Sequence, residues 1–283
     1  MKLLLLLFLL AISFLSLSPV KVQKVFDVHI HGSSAVAEQL KTLERSGVYK
    51  AALSSSWDLQ NSYRENPPIK LLYGLMLPCP NGKVPYSLQQ CYENGQVWPS
   101  VAWVEEQIKD GKIDFLGEIL TQYHGILPSD SLMNPYYAIA EKYNLPVGVH
   151  TGGAGPDHGC PDFKLEFGNP VLLEKLILKF PKLKLWIMHS GDRFYKETTR
   201  LMSKYVTLYA DISVISNPDI LAPDQFAGIM KEFIDAGLED RLMFGSDNGD
   251  IRKSISAVNE LSFLSDKQKE KIFHLNAEHF FSR

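Results

Sequence analysis

Short apolar, β-rich runs recur eight times along this chain, and amphipathic segments of helical period lie between them. The runs are Val25–His29, Tyr49–Ser54, Lys70–Met76, Ile113–Ile119, Pro146–His150, Lys184–His189, Val206–Ile212 and Leu242–Ser246. The helical segments include Ala35–Arg45, Val101–Lys109, Pro135–Tyr143, Pro170–Phe180, Glu197–Tyr205 and Gln225–Ala236. Asn134 before Pro135, Asn169 before Pro170 and Pro223-Asp224 before Gln225 are helix-start signals, since proline fits the first helical turn and a short polar side chain caps it. Strands that alternate with helices pair in parallel, because each return crosses over through a helix. Eight such units fit a closed (β/α)8 (TIM) barrel. An open doubly wound sheet would place a Gly-rich phosphate turn after its first strand. Here Gly152-Gly153-Ala154-Gly155 follows the fifth strand instead, with no helix opening directly on it.

No repeat or linker divides the chain, and one barrel of ~250 residues uses it up. Residues 21–283 therefore read as one domain. The long loops Trp57–Pro68, Pro78–Pro99 and Thr151–Asn169 follow strands two, three and five. In a barrel such loops emerge on the C-terminal face, where active sites are built.

Residues 1–20 are set apart. Lys2 precedes an uncharged, leucine-dominated stretch from Leu3 to Val20, which reads as an export signal. Retained, it would be a membrane anchor of nearly spanning length. Ser13, Ser16, Ser18 and Pro19 dilute its second half and favour cleavage. The expected location is periplasmic or secreted, with membrane association only through an uncleaved segment. In an exported chain Cys79 and Cys91 could close their loop as a disulfide, leaving Cys160 over; three thiols are the alternative. A net charge of -3 without charged blocks gives no basic face for nucleic acid, so the expected partner is a small molecule. Homo-oligomerisation stays open.

Ligand-type residues recur at the ends of the runs. His29 and His31 lie two apart, so strand alternation turns both to one side with Asp27 below them, where Asp27 could orient one ring. His150 ends the fifth run and His189 the sixth, where imidazoles after apolar stretches are costly unless paired or ligating. Glu118 ends the fourth and Asp247 follows the eighth. Asp211, after the seventh, reads as structural or supporting. Strands one, four, five, six and eight thus each deliver a potential ligand at the same end of the barrel. Imidazoles and carboxylates accept several first-row divalent ions, of which zinc is the expected one. Arg64, Lys164, Arg193 and His158, all on loops, are candidates for substrate binding.

Asp27-Val-His29-Ile-His31, Leu116-Gly-Glu118-Ile, Asn144-Leu-Pro-Val-Gly-Val-His150-Thr-Gly, Met188-His189-Ser-Gly and Arg241-Leu-Met-Phe-Gly-Ser-Asp247 occur in this order, and Asn276-Ala-Glu-His-Phe-Phe closes the chain. In these motifs the sequence resembles the amidohydrolase superfamily, specifically its amidohydrolase-related branch of decarboxylases, hydratases and lactone hydrolases. The resemblance covers essentially the whole mature chain. It implies a distorted barrel with one or two divalent metals. His29, His31 and Asp247 would hold the first. His150 and His189 would serve a second, or ligate the single metal and act on substrate respectively. Glu118 stands where the superfamily often places a bridging Lys or Glu. No lysine precedes it in that stretch except Lys112, at the wrong end of the strand, so a carboxylated lysine is not expected. The implied reaction is hydrolysis of an amide, lactone or ester, with Asp247 shuttling the proton and His189 holding the carbonyl oxygen if no second metal claims it. Non-oxidative decarboxylation is the alternative, and a non-catalytic binding barrel the third reading.

Overall fold

The computed structural model describes residues 23–83, 90–92, 95–153 and 159–282. The expected signal segment and His158 lie outside the described residues. The eight strands are β1 (Val25–His31), β2 (Val48–Ser54), β3 (Lys70–Leu77), β4 (Phe115–Ile119), β5 (Val147–Val149), β6 (Leu185–Ile187), β7 (Tyr209–Asp211) and β8 (Leu242–Met243). They form one parallel sheet in chain order. Its two edges meet: Val28 N–H donates to the Phe244 carbonyl at 2.9 Å, and Asp247 N–H to the His29 carbonyl at 2.8 Å. The chain is a (β/α)8 barrel.

The helices are α1 (Val36–Arg45), α2 (Trp57–Tyr63), α3 (Val101–Lys109), α4 (Asn134–Lys142), α5 (Glu174–Lys179), α6 (Tyr195–Lys204), α7 (Pro223–Asp235), α8 (Ile251–Glu260), α9 (Asp266–Glu270) and α10 (Asn276–Phe280). The expected helix from Pro170 begins as a 3-10 turn over Pro170–Leu173, with Asn169 capping it through a bond from Val171 N–H. The stretch from Trp57, read as loop, opens with α2, which buries Trp57, Gln60 and Tyr63 on one face. A π turn over Lys271–Leu275 joins α9 to α10. There the Ile272 carbonyl accepts from Phe244 N–H at 2.8 Å, so the chain beyond β8 is held by this turn.

The later strands are shorter than their apolar runs. After β6 the backbone turns left-handed, with φ of 62° at His189, 50° at Ser190 and 78° at Gly191. After β8, Asp247 and Asn248 take φ of 48° and 56°. Such dihedrals cannot extend a ladder. They lift the polar ends of these runs out of the sheet.

Inside the barrel Phe26, Val28, Ala52, Phe115, Trp186, Met188 and Met243 pack together, and Ala277, Phe280 and Phe281 close the cluster. Trp186 lies 5.7 Å from Phe115 and 5.4 Å from Phe281 between ring centroids. The C-terminal helix therefore plugs the N-terminal end of the barrel, the floor. The outer faces of the strands pack against the helices in a second, larger apolar cluster. Cys79 and Cys91 are joined as a disulfide across the loop after β3, and Cys160 is buried elsewhere.

Candidate metal centre

The polar cluster at the opposite end, the mouth, starts with a distortion of β1. Asp27 Oδ1 accepts the N–H of His29 at 3.1 Å, a local turn that an aspartate readily makes with the residue two ahead. The β1–β2 register shifts between Asp27 and Ile30. Val28 therefore faces the floor cluster, while His29 and His31 still turn together into the mouth. Asp27 does not orient an imidazole, contrary to simple alternation. Its Oδ1 also takes Ser246 N–H at 3.0 Å and so stitches β1 to the end of β8. Burial pushes its carboxyl up to about 7, against the opposing pull of these hydrogen bonds.

His31 is gripped on three sides. Its Nδ1 lies 3.0 Å from the Ser54 carbonyl, so Nδ1 carries the proton and a neutral ring leaves Nε2 bare. The Asn248 amide takes His31 N–H and donates to the His31 carbonyl, both at 3.0 Å. Gln39 bonds the same carbonyl and the Asn248 oxygen. Neither Asn248 nor Gln39 stood out in the sequence. An Asn directly after a strand-end aspartate, suited to left-handed backbone, was the available signal.

Around His31 Nε2 lie His29 Nε2 at 3.3 Å, Asp247 Oδ1 at 3.0 Å and Glu118 Oε2 at 3.3 Å. Asp247 Oδ1 is also 3.6 Å from His29 Nε2. Glu118 Oε1 lies 2.5 Å from His150 Nδ1 and 3.4 Å from His189 Nε2, and those two nitrogens are 3.3 Å apart. His150 Nε2 is buried with no hydrogen-bond partner among the described residues. Glu118 thus belongs to two sets of converging donor atoms, one with His29 and His31 and one with His150 and His189. The structure brings together His29, His31, Glu118, His150, His189 and Asp247.

The field of the cluster is cation-seeking. Burial disfavours the charged form of His29, but Asp247, Asp211 and Glu118 outweigh it and raise its pKa well above the imidazole range. His31 is raised in the same sense, burial being overcome by Asp247 and Glu118. Burial likewise opposes the charge on Glu118, yet His150, His189 and His29 hold its carboxyl well below the usual range. A single proton on His31 Nε2 could answer only one of its three acceptor neighbours. A divalent ion can take all of them, and imidazole nitrogen with carboxylate oxygen is a zinc- or manganese-type donor set. The residues fit a metal.

The candidate substrate residues are scattered. Arg64 donates to the Lys112 carbonyl at 2.7 Å and stacks 3.7 Å from the Tyr73 ring centre. That places it at the entry of β4, the far end from Glu118, because α2 runs down the outside of the barrel; the structure does not bring it to the cluster. Lys164 has an exposed side chain, and its N–H bonds the Gln122 carbonyl at 3.1 Å. Arg193 follows the left-handed turn that carries His189. It lies so close over Gly153 that a Cβ there would meet its Nε at 2.8 Å, at the rim beside the loop from His150.

Residues 99–283 match the amidohydrolase family model. Similar solved structures include a probable 2-pyrone-4,6-dicarboxylic acid hydrolase from Acinetobacter baumannii with citric acid bound, at TM-score 0.64 and 14% identity over 91% of this chain and 99% of that one. The 2,6-dihydroxybenzoate decarboxylase from Rhizobium aligns at TM-score 0.61 and 12% identity, over 92% and 98%. The 5-carboxyvanillate decarboxylase from Novosphingobium aromaticivorans, complexed with manganese, aligns at TM-score 0.56 and 14% identity, over 86% and 79%. No curated protein matches the sequence. Identities this low carry the fold alone. The family model, however, spans well over half of the chain, and the protein belongs to the amidohydrolase family.

Proposed function

We propose that this protein is a divalent-metal-dependent hydrolase of a small-molecule amide, lactone or ester. The observation that carries the reading is the convergence of His29, His31, Glu118 and Asp247 on one point, with Asp247 the carboxylate open to solvent. Its side chain is 25% exposed, against 3% for Glu118. His29, His31 and Asp247 would hold one ion; Glu118 would share a second with His150 and His189. A bound divalent ion would polarise the scissile carbonyl and acidify water at neutral pH. Asp247, at the solvent edge, accepts the proton of the attacking water and returns it to the leaving group. His150, in edge contact with Tyr123, and His189 are both buried and line the inner side of the reacting space. Arg193 at the rim would meet an anionic substituent of the substrate. Zinc suits the nitrogen-oxygen donor set, and the manganese in a structural neighbour marks the other candidate.

Several of the similar structures are named decarboxylases, so loss of carbon dioxide from an aromatic or unsaturated acid is the second reading. A panel of lactones, esters and amides run beside carboxylated aromatics, scored for acid release and for carbon dioxide, separates the two. Hydrolysis is expected; turnover confined to carbon dioxide release would replace it with the lyase. We also propose export. The apolar stretch from Leu3 to Val20 supports it, and a disulfide between Cys79 and Cys91 suits an oxidising compartment.

A further inference from the structure

We infer that the Ser213 hydroxyl fixes the tautomer of two imidazoles at once, so that His29 and His189, as neutral rings, both present a bare Nε2 to the cluster. The proton placement stands on hydrogen-bond geometry; only its effect on metal affinity rests on the proposed metal site. Ser213 lies just beyond β7, fully buried with Asp211. Its Oγ is 3.1 Å from His29 Nδ1, 2.9 Å from His189 Nδ1 and 2.5 Å from Asp211 Oδ1. A hydroxyl has one proton to give and two lone pairs to receive with.

Asp211 decides where that proton goes. Its Oδ1 accepts the N–H of His189 at 2.9 Å and of Ser213 at 3.1 Å, and its Oδ2 accepts Trp186 Nε1–H at 3.1 Å. The carboxylate is an acceptor on both oxygens. If the Ser213 proton pointed at an imidazole, a hydroxyl lone pair would face an anionic oxygen 2.5 Å away. The proton therefore goes to Asp211, and both lone pairs of Oγ face ring nitrogens. Each Nδ1 must carry hydrogen. A neutral imidazole has only one N–H, so whenever the two rings are neutral both Nε2 atoms are bare. They are the atoms that reach His31 at 3.3 Å and Glu118 at 3.4 Å. The two rings lie stacked, 4.8 Å apart at 30°, on this shared anchor.

The consequence falls on His189. As a neutral ring it has no Nε2–H with which to hold a developing oxyanion. It acts instead as an acceptor, either a ligand or a base. Ser213 and Asp211 are positioning residues that set this role without touching substrate.

The test uses the full-length chain and long-range proton–nitrogen NMR of the imidazoles, under alkaline conditions in which the rings are neutral. Wild type and Ser213→Thr, which keeps the hydroxyl, should show hydrogen at Nδ1 of His29 and His189. Ser213→Ala should lose that signature on at least one ring and weaken zinc binding ~10- to 100-fold in chelator competition, the usual effect of removing a partner behind a ligand. An Nε2–H tautomer on either ring of the wild type overturns the inference. So does a Ser213→Ala protein with both Nδ1–H signatures intact. If Ser213→Ala does not fold, the wild-type spectrum decides alone. If the wild type takes up no zinc or manganese, the metal reading fails while the tautomer result still decides this one.

Discussion

The floor and the mouth of this barrel are built from the same eight strands on opposite terms. At the floor, Phe26, Phe115, Trp186, Phe280 and Phe281 fill the interior with rings in tilted or edge contact. Each removes apolar surface from water, worth roughly 25 cal/mol per Å². At the mouth, three buried histidines and the partly exposed His31 surround a buried glutamate, and left-handed backbone at His189, Ser190, Asp247 and Asn248 adds strain. A non-glycine residue in that conformation costs on the order of 1–2 kcal/mol. Strain and buried charge persist because the floor holds the strands in place. The difference teaches where to assign each polar residue at a strand end: stability is concentrated at the helix-plugged end, and chemistry at the other.

Substitutions at the two ends should therefore separate stability from activity. The largest effect is expected from Asp247→Asn, which should cut turnover by at least ~10²- to 10⁴-fold, the range of a lost proton shuttle, without lowering the melting temperature. Near-normal turnover in the purified variant would remove Asp247 from that role. Phe26→Ala should do the reverse, costing about 3–5 kcal/mol in denaturant unfolding while the folded fraction keeps its metal. Equal loss of metal in that variant would show that floor and mouth are not separable. Glu118→Ala sharpens the comparison within the mouth. Metal analysis should find two ions per wild-type chain and one in the variant; one in both would sink the two-ion reading.

The barrel was legible because the apolar runs are long against their turns and because helix-start signals recur between them. His150, His189, Glu118 and Asp247 were legible for a related reason: each interrupts or ends an apolar run, where an unpaired polar group is costly. What stayed hidden depends on contacts distant in sequence. Ser213 looks like any serine after a strand, and only the fold brings it against His29 and His189. Asn248 reaches His31 across the closure of β8 onto β1. Asp27 escaped alternation because its own side chain captures His29 N–H and breaks the period on which alternation depends. Arg64 follows α2, which at seven residues is too short to announce itself in the sequence and carries the arginine away from the mouth loops to the opposite end.

The smallest effect should come from the polar seam at the floor. Glu278 accepts from Tyr49 Oη at 2.5 Å and from Lys50 Nζ at 3.0 Å, tying α10 to β2. Lys50 is nearly buried, while Glu278 keeps its carboxylate partly in water. Partial burial opposes the charge, but Tyr49 and Lys50 hold the Glu278 carboxyl below its ordinary value of 4.5. A carboxyl lowered in the folded state binds its proton more readily when unfolded, so it stabilises the fold above that ordinary value and ceases to do so as pH falls through the folded value. Glu278→Gln should therefore cost no more than about 1 kcal/mol near neutrality, given the exposure of the pair. The gap from wild type should close as unfolding is measured at successively more acid pH below 4.5. A gap that stays constant through that range would mean that Glu278 holds α10 by packing and neutral hydrogen bonds, and that even the polar part of the floor owes nothing to charge.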